Sequence, residues 1–314
     1  MKKWANVTLL GLLVLAYGGV LYKHQALLDW WHLRGYAAPP AVVQLAAGDS
    51  MTPKAQHLFY VNRPLISSGR TFTDHCPAAA EKTVVLGCYV GRDAGIYIYA
   101  VNDVRLNGVE QVTAAHEMLH AAYRRLSGSE RNTVNAMLTD YYNHGLTDQR
   151  IKDTLNSYKI SEPNDLVNEM HSIFGTEVAQ LPAALEQYYR QYFTNRQKVT
   201  SYTASYQGEF TSRQTQVAAD DAQLKTLKTQ IDANEASLNS QQADLKAQRL
   251  ALQGSNTATD IAAYNLKVAA YNNLLENTKA IIAQYNNLVT TRNLVAIEEQ
   301  QLQQELSANP LTKQ

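Results

Sequence analysis

The chain has 314 residues, with 28 Lys plus Arg against 28 Asp plus Glu, so its charge excludes neither a core nor an enzyme but gives no sign of nucleic acid. The length suits one or two domains. Nineteen tyrosines against five phenylalanines suggest elongated helical surfaces, because tyrosine suits half-wet seams.

The first element in chain order is the charge-free apolar run Ala5 to Tyr22, long enough to cross a bilayer as a helix. Lys2 and Lys3 precede it, which predicts a cytoplasmic N-terminus, a single-pass anchor over residues 1–23 and an extracytoplasmic remainder. A cleaved signal peptide is the rival reading, but no clear A-x-A site precedes Lys23. Residues 24–55, rich in Ala, Pro and Gly, read as a tether with little fixed structure.

A mixed region follows. Cys76 and Cys88 are the only cysteines, and in an exported segment a disulfide between them is the simplest reading, worth about 2–3 kcal/mol for so short a loop. "KTVVLGCYV" and "AGIYIYAV" read as strands, with Ile96 and Ile98 on one face and Tyr97 and Tyr99 on the other. Asn107-Gly108 marks a turn, and from there to about Arg196 the spacing of apolar residues is helical. "SGSE" predicts a helix cap, and Pro182 suits a first helical turn.

Within that helical stretch lies "VTAAHEMLHAAYRRL". His116 and His120 stand four residues apart, so a helix stacks both imidazoles on one face, where they can share a tetrahedral metal. Glu117 falls on the flank of that face, within reach of a water at the metal. The only charge between Thr113 and Ala122 is Glu117 itself, so the helix is expected to be buried, where unpaired His and Glu would be costly.

This motif resembles the zincin metallopeptidases. The metzincin variant is excluded, since Tyr123 and Leu126 stand where it needs a glycine and a third histidine. The gluzincin variant takes its third ligand as a glutamate on a later helix, and Asn168-Glu169 in "NEMHSIFGTE" matches it in part; the aspartate expected beyond is missing. His171, Glu177 and His144 are rival third ligands. The resemblance covers roughly residues 85–180. It implies Zn2+ held by His116, His120 and Glu169, Glu117 as general base, a peptide or protein substrate, and His171 as a candidate oxyanion stabiliser. An extended substrate is expected to lie along the edge of "GIYIYA".

Beyond residue 200, Leu224, Ile231, Leu238, Leu245 and Leu252 recur every seven residues, as do Ile261, Val268, Leu275, Ile282 and Val289. Two heptad ladders around "GSNTATD" predict an antiparallel coiled-coil hairpin, capped at Asp260 and offering a face to a protein partner.

The chain is thus expected to be α+β and predominantly helical. Its expected parts are an anchor (1–23), a tether (24–55), a zincin-like domain with a short sheet (56–200), a hairpin (201–307) and a tail (308–314). The expected function is that of a membrane-anchored zinc peptidase. The alternative is a structural or adhesive envelope protein whose metal site is not catalytic.

Overall fold

The computed structural model describes residues 24–76, 86–91, 95–254 and 257–307. It divides into one unit of residues 1–207 with 304–314 and a second of residues 208–303.

In the first unit the expected tether is folded. Helix α1 covers residues 24–33, α2 covers Pro40–Gly48 and α3 covers Pro53–Val61. Pro40 sits in the first turn of α2, where its missing N–H costs nothing, and Val42, Leu45 and Ala46 then fall on one buried face. Thr52 caps α3 by accepting from the Ala55 N–H. The reading of 24–55 as a tether fails because prolines that open helices resemble prolines that punctuate loops.

A three-stranded sheet follows, formed by β1 (Leu65–Ser67), β2 (Gly87–Val90) and β3 (Gly95–Tyr99), with α4 (Gly69–Thr73) after β1. The order is β1-β3-β2: β1 pairs parallel to β3, and β2 antiparallel to it, with Cys88 opposite Tyr97. Ile96 and Ile98 are buried while Tyr97 and Tyr99 are less so, the alternation that the sequence carries. The expected substrate edge is corrected, because β3 is bonded on both sides; among the described residues β1 and β2 are the edge strands beside it.

Helix α5 (Val109–Arg124) is the centre of the unit, with eleven of its sixteen residues buried. It touches β2, β3, α2 and α3, and packs most extensively on α8 (Leu166–Glu177). Gly175 makes that packing close: a Cβ there would lie 2.4 Å from Leu119 Cδ1 and 2.9 Å from a Tyr189 ring carbon. Between these helices run α6 (Gly128–Asp140), opened by the Ser127–Glu130 capping box, and α7 (Gln149–Ser161), capped by Asp148. Helix α9 (Ala183–Tyr189) follows Pro182. Asp29 of α1 binds Arg125 at 2.7 Å and His57 at 2.8 Å. Burial alone would raise the Asp29 pKa, but hydrogen bonds from Arg125, Gln25 and His57 outweigh it and hold the carboxyl below its ordinary range.

Helices α10 (Arg196–Ala251) and α11 (Ala258–Leu306) form a long hairpin. Within the second unit, Gln214 bonds Glu299 and Arg292 bonds Asp221, both at 2.9 Å. These bonds set the same antiparallel register that aligns Leu238 with Leu275. Thr257, not the expected Asp260, caps α11; it accepts from the Asp260 N–H and its hydroxyl donates to the Asp260 carboxylate. Thr278, three residues beyond Leu275, is 3 % exposed and is buried with the apolar ladder.

No helix among the described residues is long and apolar enough to cross a membrane. The long helices carry Lys, Asp and Gln throughout their length. The expected single-pass anchor, and the extracytoplasmic location and membrane partnership built on it, are corrected accordingly. The run 5–22 on which they rested lies outside the described residues.

Candidate metal centre

Helix α5 presents His116 and His120 one turn apart, and α8 brings Glu169 to them. The two Nε2 atoms are 3.0 Å apart. Glu169 Oε2 lies 3.6 Å from His116 Nε2, and its Oε1 lies 3.4 Å from His120 Nε2. A zinc ion with bonds near 2.1 Å holds its tetrahedral ligands about 3.4 Å apart, so the three side chains fit that ion. Among the described residues they form a group able to hold a metal.

The electrostatics suit a cation. Burial alone would raise the Glu169 pKa, but the charge of His120 and the hydrogen bond and charge of His116 bring it below its ordinary value. The carboxylate is thus ready as a ligand. His120 Nδ1 is buried and has no hydrogen-bond partner among the described residues.

The cluster opens into a cavity of about 890 Å³, whose wall includes all four strand residues of β2. Glu117 lines it beside the histidines and is only 6 % exposed. Gly87 makes its position possible: a Cβ there would meet Glu117 Oε1 at 3.0 Å and Thr113 Cγ2 at 2.5 Å. The base candidate therefore sits in a slot between α5 and the edge strand.

The other expected residues are placed as follows. Cys76 and Cys88 form a disulfide with Cα atoms 5.9 Å apart, and both line the cavity. His171 does not line it; it is fully buried on the far side of α8 from Glu169, with Nε2 2.9 Å from the Tyr188 hydroxyl. Burial, with smaller contributions from His120 and His116, pushes its pKa down to about 3, so it stays neutral among tyrosine rings. Of the rival ligands, Glu177 pairs with Arg150 at 2.6 Å, and His144 is exposed beside Asp140.

Sequence reasoning picked out Asn168 with Glu169 but missed other wall residues, among them Arg124, Arg131 and Tyr158. Arg124 was within its reach: it continues the i, i+4 stripe of His116 and His120 by one more turn. The others arrive from separate helices, and no spacing announces them.

No family model, curated protein or solved structure matches the chain.

Proposed function

We propose that His116, His120 and Glu169 hold Zn2+ and that the site is a hydrolase of peptide bonds, with Glu117 as its general base. The observation that carries this reading is Glu117, a buried carboxylate beside three convergent ligands in an open cavity. A metal that only stabilises a fold has no use for such a base. The resemblance of residues 116–120 to the zincin motif supports the same reading.

When bound, the metal supplies Lewis acidity, lowering the pKa of water and polarising a carbonyl. The chain supplies the rest. Glu117 takes a proton from the attacking water and returns it to the leaving amine, so water adds across the amide bond. The outer edge of β2 offers an extended substrate main-chain hydrogen bonds along the cavity.

A structural reading is favoured by a different observation, the length of α10 and α11, which suits contact with a protein partner. In that reading the metal serves stability alone.

Zinc content and peptide hydrolysis of the full chain separate the two. The Glu117→Gln variant should keep one zinc per chain and lose hydrolysis by about 10²–10⁴-fold. A parent protein that binds zinc and hydrolyses no peptide in a diverse library would leave only the structural reading.

A further inference from the structure

The cavity contains two cationic groups that hydrolysis leaves unused. Arg124 lines it one turn beyond His120, and its guanidinium has no carboxylate or carbonyl partner among the described residues. Arg131 lines it as well. Its Nη2 donates to the carbonyls of Tyr123 and Arg124, its guanidinium lies 5.1 Å from the Tyr123 ring centre, and its Nε is buried without a partner. Of the other arginines of this unit, Arg105, Arg125, Arg150 and Arg196 each hold a carboxylate, whereas Arg63 bonds a backbone carbonyl. Among the described residues, the two cavity arginines hold no carboxylate, and they are the ones that line the cavity beside the histidines.

Their position relative to Glu117 is set by β2. At one end of the strand, Gly87 lies against the Glu117 carboxylate; just past the other end, a Cβ at Gly91 would be 2.9 Å from Arg124 Cζ. Strand and helix therefore run alongside each other. Four strand residues span about 13 Å, and the seven helical steps from Glu117 to Arg124 rise about 10 Å. An extended chain on the edge of β2, with its reacting carbonyl at Glu117, reaches Arg124 about three residues away.

Resting on the hydrolytic reading for its reference point, we infer that this cavity selects a substrate carboxylate about three residues from the bond cut, held by Arg124 with Arg131. Asp165 also lines the cavity and disfavours a carboxylate placed beside it. The preference is for one carboxylate at one position, not for acidic peptides at large. A chain terminus or an Asp or Glu side chain can supply it.

The test reads binding on zinc-loaded Glu117→Gln protein, so that turnover plays no part. Matched short peptides are titrated by calorimetry: free acid against C-terminal amide, and Asp against Asn at each internal position. One carboxylate should raise affinity at least about tenfold. A gain confined to the acid end assigns chain termini, and a gain at one internal position assigns a side chain. Adding Arg124→Gln should bring the ratio to within about twofold, while Arg124→Lys keeps part of it. Zinc content and the melting curve show that each variant is folded, and Arg131→Gln gives a second, smaller loss. Equal binding of all matched pairs, or a ratio that survives Arg124→Gln, overturns the inference. If the parent hydrolyses nothing yet shows the carboxylate preference, the hydrolytic reading falls and the carboxylate site remains.

Discussion

The unit of residues 1–207 and the hairpin unit of residues 208–303 obtain order from the same chain by opposite means. In the first, α5 buries eleven residues among three helices and two strands, and close approach depends on glycines at 87 and 175. In the second, each helix has a single neighbour of its own kind, and most side chains remain solvated. The difference teaches where chemistry can reside. A base, the role proposed for Glu117, needs walls on several sides to exclude water and fix its position, whereas a two-helix seam offers only one.

The comparison breaks most sharply at Gly87. Replacing it by Ala puts a methyl group where Thr113 Cγ2 and Glu117 Oε1 leave 2.5 and 3.0 Å. The strand or the carboxylate must move. Hydrolysis should fall on the order of 10²-fold, and stability by about 1–3 kcal/mol, while zinc content stays unchanged because no ligand is displaced. Rate and metal content measured on one preparation check this. A variant with full activity would show that Glu117 is not held by that slot.

How much of this the sequence carries differs from residue to residue. The periodicity of the hairpin is local, so two ladders and a turn reveal it; only the cap moved, from Asp260 to Thr257. His116 and His120 are legible because one helix turn relates them. Glu169 is legible only through resemblance, since nothing local says which later carboxylate comes to α5. Glu177, a rival eight residues on, is taken by Arg150 from α7, a contact across 27 residues. Strand β1 and the edge position of β2 were hidden because pairing order is a property of the whole sheet. The fold of residues 24–55 was hidden because Val42, Leu45 and Ala46 acquire meaning only when a core receives them.

Asp49 sharpens the comparison at a smaller scale. It is fully buried at the end of α2, and neither carboxylate oxygen has a hydrogen-bond partner. Burial raises its pKa well above 3.8, against a smaller lowering by Lys198. The folded state therefore prefers the protonated form. Stability from this group is complete below the unfolded pKa and is lost as pH rises toward the folded one. Asp49→Asn should melt higher than the parent at pH 7, by more than the equivalent of about 1.4 kcal/mol, and the gap should close toward about pH 4. A gap independent of pH would mean that Asp49 is solvated or paired. In the hairpin unit, Asp244, whose carboxyl is held below its ordinary range first by the hydrogen bond from Lys267, is at the surface.

The smallest effect is expected where the hairpin relies on charge. Arg292 bonds both oxygens of Asp221, at 2.9 and 3.2 Å, yet both side chains are well exposed. Water and salt screen such a pair, so its value lies in register more than in stability. Asp221→Arg should lower the melting midpoint slightly at low salt, and Asp221→Arg with Arg292→Asp should restore it. At 1 M salt, where the Debye length is about 3 Å, the three proteins should melt together. Zinc content should be the same in all of them, because the proposed metal ligands lie on α5 and α8. Failure of the reversed pair to rescue the single variant would show that residues 221 and 292 are not neighbours. The register that aligns Leu238 with Leu275 would fail with it, since both alignments follow from one antiparallel offset.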